Sequence, residues 1–376
     1  MHALRAASTV SLALVASCSD PAPLPRFVPP ERAEEPAAPL PPPRAWQTVG
    51  SGLSILAIGG TSREDVFVLA ADRGGGPGVF RFDGAAWALL PTATTGDLWA
   101  VHRPAPGESA FLAGAGSLVL RWDGTQFHRL PTPGGPADVV LGVWARRWND
   151  VYAVGRGGNG SGFVWRFDGE SFTAVALPAS LPRPDGEAGP AFHSVWCDEA
   201  DTWIAGSAGV LLHAKSAGPL ARVATDRTDT FFSIHGAAGK VFAVGGASSG
   251  VALAFGASDG KRSDVSPRSS GVLRAVHASA TQGVFAAGVE GVVLRLDPGT
   301  GRFEPVPRGP DARVQSFRAA YVAPEGDVWL GGGDVFARRG ALAHLGPPHI
   351  PPLPDARGGA IDDGFFSGEK GGAPRR

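Results

Sequence analysis

The sequence predicts an all-β fold: seven copies of one four-stranded antiparallel sheet along a single chain. Three observations carry this expectation. A triplet of small, aliphatic and aromatic (or His) residues recurs at Ala57-Ile58-Gly59, Ala100-Val101-His102, Gly142-Val143-Trp144, Ser194-Val195-Trp196, Ser233-Ile234-His235, Ala275-Val276-His277 and Ala319-Ala320-Tyr321. Only the first copy ends in glycine, and the third residues lie 43, 42, 52, 39, 42 and 44 apart. An aromatic column follows at Phe67, Phe111, Tyr152, Trp203, Phe242, Phe285 and Trp329, each with a small residue three positions later. Finally, Asp-Gly closes the third apolar run at Asp83-Gly84, Asp123-Gly124 and Asp168-Gly169. Asp-Gly between apolar runs signals a tight hairpin, because glycine accepts a positive φ.

Each repeat therefore reads as four short strands with no helical period. Four-stranded units recurring at about 40–45 residues mark the blades of a β-propeller, here seven-bladed, from Leu53 to about Gly346. The small residues of the first column suit the crowded strand nearest the axis, and the aromatics fill the widening space between blades. The third strands are expected at Val79–Phe82, Val119–Trp122, Val164–Phe167, Leu211–Ala214, Val251–Phe255, Val293–Leu296 and Val335–Ala337. Two segments compete for the outer edge of the last blade. Residues 44–49 read as a fourth strand with no blade of its own, and Ala341–Leu345 reads as a fourth strand of the last repeat. One of them closes the ring, unless they pair with each other.

The ends read differently. Residues 1–17 form a signal peptide, with Arg5 ahead of a short apolar run that cannot span a bilayer. Val15-Ala16-Ser17-Cys18 resembles a bacterial lipobox, in which the cysteine is acylated and becomes the mature N-terminus. That resemblance implies a lipid anchor on Cys18, a place in the cell envelope, and, with Ser19 following, the outer membrane. Residues 18–45 form a linker, with ten prolines between Pro21 and Pro43; such a chain is an extended, semi-rigid spacer. The propeller occupies 46–346, and 347–376 read as a disordered Pro/Gly-rich tail.

Composition excludes several functions. The 34 basic and 35 acidic residues nearly cancel, with no basic stripe to follow a phosphate backbone, so nucleic acid is not a partner. The only cysteines are Cys18 and Cys197, which leaves neither a disulfide framework nor a cysteine zinc site. No helix-borne histidine pair has metal-binding spacing, and no cofactor is expected. The His102, His235 and His277 column alternates with Trp144, Trp196 and Tyr321, which points to packing. Asp65, Asp150, Asp201 and Asp327 precede the second strands and read as acceptors of backbone N–H groups in their own turns. Cys197 reads as a buried small hydrophobe.

The repeat grammar resembles the propellers related to photosystem II assembly and stability factors, found in secreted bacterial proteins. It runs Asp-Val-aromatic, Gly, then a β-branched residue, Arg or His, an aromatic and Asp-Gly. The resemblance covers Leu53–Gly346 and implies a propeller scaffold. A kelch-like likeness is thinner, since Gly-Gly follows the second strand only at Gly245-Gly246 and Gly331-Gly332. Galactose-oxidase copper chemistry is rejected, because both tyrosines, Tyr152 and Tyr321, sit in repeat columns.

Function is then expected on the loops. The 52-residue spacing comes from the connection Pro178–Phe192, and long loops on rigid scaffolds are where binding sits. The sequence reading is a membrane-tethered, non-enzymatic binding or assembly module for a protein or saccharide partner. Its candidate contacts are Arg183, Asp185, Asp226, Arg227 and Asp229. The alternatives are a propeller-type lyase or glycosidase, or a kelch-like carbohydrate binder.

Overall fold

The structure, a computed structural model, describes residues 44–182, 189–216, 218–257, 260–307, 309–310, 316–334, 339–347 and 350–354. Among these are seven antiparallel sheets of four strands each. The first blade holds Ile55–Ser62, Asp65–Ala70, Gly78–Phe82 and Trp87–Leu89, in that order from the axis outward. The next five blades repeat the order, with inner strands Leu98–His102, Val139–Arg147, Phe192–Cys197, Phe231–Ala237 and Leu273–Ser279.

The chain is a closed ring because its core is not one cluster but seven. Each lies between two consecutive blades, and the last joins the seventh to the first through Ile55, Val66, Val68, Tyr321, Trp329 and Leu342. Both faces of every sheet are covered, which is why Asp65–Ala70 is buried at every position instead of alternating. The aromatic column supplies the bulk: Phe67, Phe111, Trp203 and Trp329 are at most 1 % exposed. The Asp-Gly turns behave as expected, with φ of 96° at Gly84, 106° at Gly124 and 108° at Gly169.

The seventh blade resolves the competition at the ring's edge. Its order from the axis is Phe317–Val322, Val328–Asp334, Arg339–Gly346 and then Ala45–Ser51. The two candidate edge strands thus pair with each other, from Ala45 opposite Gly346 to Ser51 opposite Gly340. Arg339–Gly346 is the third strand, not the fourth; the expected third strand Val335–Ala337 lies outside the described residues. The N-terminal strand closes the ring, and Arg44 adds hydrogen bonds from its guanidinium to the carbonyls of Gly326 and Glu325.

Two further expectations are corrected. The aspartates ahead of the second strands are not turn acceptors. Asp65 pairs with Arg81 and Arg103, Asp150 with Arg166 and Arg146, Asp201 with His213, and Asp327 with His344 and Arg63. Antiparallel register places the third-strand Arg or His opposite the column aromatic, as Phe67 faces Arg81 and Trp203 faces His213. That side chain lies over or beside the ring and reaches the aspartate at the strand's start. The turn role falls instead to the aspartates of Asp-Gly: Asp83 accepts from the N–H groups of Ala85 and Ala86, and Asp168 from those of Glu170 and Ser171. The C-terminal segment is also more than a tail at its start. Ile350 and Leu353 are 5 % and 1 % exposed, set into the core between the seventh and first blades. There Trp87 donates its indole N–H to the Pro351 carbonyl at 3.0 Å, and Gln47 accepts the Ile350 N–H.

Candidate functional site

One face of the ring carries the connections between blades, the loops between second and third strands and one mouth of the central channel. Each inner strand starts where the connection from the preceding blade arrives, and antiparallel pairing brings the loop between second and third strands to the same end. Backbone bonds record this: Ala71 N–H to Ser54 O, Ala115 N–H to Asp97 O, and Ser207 N–H to Ala191 O.

At this end every inner strand carries a β-bulge, at Ile55/Ala57, Leu98/Ala100, Val140/Gly142, Phe192/Ser194, Phe231/Ser233, Leu273/Ala275 and Phe317/Ala319. A bulge adds one unpaired residue and re-aims its side chain. The extra residues Trp99, His193, Phe232, Arg274 and Arg318 line the channel. The Arg274 guanidinium lies 4.0 Å from the Phe232 ring centroid, and that of Arg318 lies 5.9 Å from Trp99. His193 stands beside Phe232, its pKa pushed down to about 4 by burial and by the fields of Arg274 and Arg156.

Three positions further along the inner strands, roughly 10 Å deeper at strand rise, stands a second ring. His102 stacks on Trp144 at 3.7 Å, Trp144 meets His235 edge-on at 5.3 Å, His235 lies 3.9 Å from His277, and His277 meets Tyr321 edge-on at 5.3 Å. The rings of His102, Trp144, His235 and His277 are partly accessible and line the channel. Burial holds His102 and His277 down at about 3, and His235 well below its usual range. The histidines also tie blades together. His102 Nδ1 accepts the Ala145 N–H at 3.0 Å, and His235 Nδ1 accepts the Ala278 N–H at 3.2 Å. An accepting Nδ1 on a neutral imidazole puts the proton on Nε2. The hydroxyls of Ser194 and Ser233 play the same bridging part, accepting the N–H groups of Ile234 and Val276. Among the described residues no group of three metal-ligating side chains converges.

Of the sequence-predicted contacts, Asp226, Arg227 and Asp229 lie on the rim of this face. Asp226 is exposed, takes a φ of 51°, and pairs with Arg262 at 2.7 Å. Arg227 pairs with Asp264 at 2.6 Å, and the Asp229 carbonyl accepts the Gly209 N–H. Both ion pairs staple the connection between the fourth and fifth blades to the outer strand Arg262–Asp264. Arg183 and Asp185 lie outside the described residues, as does Cys18. The flanks of their loop are anchored, with Val175, Leu177 and Leu181 packed on the core between the third and fourth blades. Cys197 is buried, its thiol pushed up to about 12 by desolvation. The bulge residues were missed in the sequence; the signal was available as the position just before each small–aliphatic–aromatic triplet, occupied by a large or charged residue in all seven blades, Leu56 and Leu141 included.

No protein-family profile and no curated sequence matches the chain. Solved structures do. The crystal structure of the RRP9 WD40 repeats is similar with a TM-score of 0.61 at 14 % identity, covering 80 % of this chain and 96 % of that one. YCF48 from Cyanidioschyzon merolae is similar at 0.58 and 15 % identity, covering 81 % and 100 %. YCF48 bound to D1 peptide is similar at 0.56 and 12 % identity, covering 80 % and 96 %. At such identities the likeness is one of fold.

Proposed function

We propose that this chain is a non-enzymatic binding or assembly module, tethered to a membrane through lipid on Cys18, that offers its connection-bearing face to a protein partner. The observation that carries the reading is the build of that face: a closed ring holds the charged connection 224–230 by ion pairs, and core side chains anchor Val175, Leu177 and Leu181 ahead of residues 183–188. A rigid platform loses little entropy on binding. Near-neutral overall charge favours a protein surface over a polyanion. Propellers of the same fold include one solved with a peptide bound, which makes a protein ligand reasonable for this scaffold. No helix among the described residues is long and apolar enough to cross a membrane, so in this reading the anchor is the lipid.

The test is capture of envelope proteins by the immobilised chain, with and without residues 183–188. The deletion abolishes specific capture while leaving the melting temperature nearly unchanged, because a surface loop costs little to shorten. Capture that survives the deletion overturns the choice of face. Cys18→Ser releases the protein from the membrane fraction; a variant that stays bound there, or a wild type that takes up no labelled fatty acid, removes the tether.

A further inference from the structure

We infer that the central channel is a binding site for a small, slender dicarboxylate, which enters between Arg274 and Arg318 and extends toward the His102–His235 ring. This goes beyond the partner reading, which concerns the rim of the same face.

The channel is a cavity of about 210 Å³ lined by all seven inner strands. Its charged side chains are the donors Arg274 and Arg318, while the neutral imidazoles of His193 and His277 each add one acceptor nitrogen beside one donor. Arg274 and Arg318 stand on adjacent blades at the mouth, and neither makes an ion pair or a hydrogen bond among the described residues. Each guanidinium has only an aromatic ring against it. The Nε of Arg318 is buried and has no acceptor. Asp97 is the acidic group whose field reaches Arg318, but its Oδ1 already accepts the Asp72 N–H at 2.8 Å. Several arginines of the fold are matched to aspartates, as Arg103 and Arg81 are to Asp65. Arg121, on a third strand, also has a buried Nε without an acceptor, but Arg274 and Arg318 are the two guanidiniums that line the channel.

Deeper in, the bridging bonds decide which atoms stay available. Because Nδ1 of His102 and of His235 accepts a backbone N–H, each presents Nε2–H as its free group. Ser194 and Ser233 accept with Oγ, which leaves their O–H to donate. The Tyr321 hydroxyl is buried without a partner. Between the two levels the walls are lined by the small residues Ala57, Ala100, Gly142, Ala275 and Ala319 of strands packed around a cavity of this size. A ligand for this space is slim and mainly accepts hydrogen bonds. Ionised carboxylates are acceptor-only, and a guanidinium fork matches a carboxylate in two parallel bonds. Diols, amines and amides bring donors that meet donors. A second carboxylate at the far end uses the Nε2–H and hydroxyl groups that the mouth cannot reach.

The experiment is calorimetric titration of the purified full chain at pH 7.5 and low salt, with the straight-chain series from succinate to suberate. The matching diamides and inorganic phosphate serve as controls. One member of the series binds with a Kd below about 1 mM, and its diamide does not bind. Arg274→Gln with Arg318→Gln weakens that binding by about tenfold or more, as loss of charge-assisted bonds requires. Should the double variant fold poorly, Arg274→Gln alone gives the same readout, since this exposed side chain makes no polar bond that folding needs. The inference is overturned if no dicarboxylate binds at 1 mM, if diamides or phosphate bind as well as the dicarboxylate, or if the arginine variants bind like wild type. Each of these is read without any protein partner, so failure here leaves the rim reading standing, and failure of capture leaves this one standing.

Discussion

Lowering the pH from 7.5 to 5.5 should weaken this protein by protonating the unfolded chain. His102, His235 and His277 are held neutral in the folded ring, at about 3 for the first and last and well below 6.5 for His235. Desolvation is the largest cause in all three, and the mutual fields of His102, His235 and His277 add to it. In the unfolded chain each returns to about 6.5. A histidine whose folded pKa is lowered gives stability that is complete above 6.5 and is lost as pH falls toward the folded value. At pH 5.5 the unfolded form gains about one proton per histidine, worth about 1.4 kcal/mol each; with His193, held down at about 4 at the channel mouth, the four histidines together contribute about 5 kcal/mol. The aspartates with lowered values, such as Asp72, Asp264 and Asp297, titrate near or below 3.8 and stay silent in this window. Urea unfolding at the two pH values measures the difference. His102→Asn with His235→Asn keeps an acceptor near each Nδ1 but no titration, and should reduce the loss to about 3 kcal/mol, the share of His277 and His193. A wild-type stability that is flat from pH 7.5 to 5.5, or a double variant with the full pH slope, would refute the reasoning.

Two substitutions test other parts of the frame. Asp65→Ala leaves the 9 %-exposed Arg103 side chain without its carboxylate and should cost about 3–5 kcal/mol in urea unfolding; a loss under about 1 kcal/mol would return this aspartate to a turn role. Leu353→Ala empties a site that is 1 % exposed and should cost about 2–5 kcal/mol with a red shift of Trp87 emission, whereas unchanged stability would detach residues 350–354 from the core.

The repeat was legible because its signals are local and recur. A triplet, an aromatic column and an Asp-Gly turn each lie within a few residues, and the blade count follows from their spacing. The aspartates were misread because their partners are not local. Asp65 meets Arg81 sixteen residues on, and Arg103 in the next blade, so the pairing appears only once antiparallel register is known. Ile350 and Leu353 carry no period and stand among prolines, so their burial depends on a groove made by the first and last blades. Of the rim residues, Asp226 and Arg227 could be placed on a connection, but their ion pairs to Arg262 and Asp264 bridge about 37 positions. The channel mouth was hidden for a backbone reason. Without the bulge, Trp99, Arg274 and Arg318 would alternate into the space between blades.

Everything on the binding face depends on the ring being closed by the N-terminal strand, and that closure can be measured directly. A chain beginning at Gly52 lacks Ala45–Ser51 and leaves Arg339–Gly346 as an open edge. It should unfold at a lower temperature and with a broader transition than a chain beginning at Arg44. A synthetic peptide of residues 44–51, added in excess, should restore the sharp transition by pairing with that edge. Equal melting of the two chains, with no effect of the peptide, would contradict the closure and with it the account of the face.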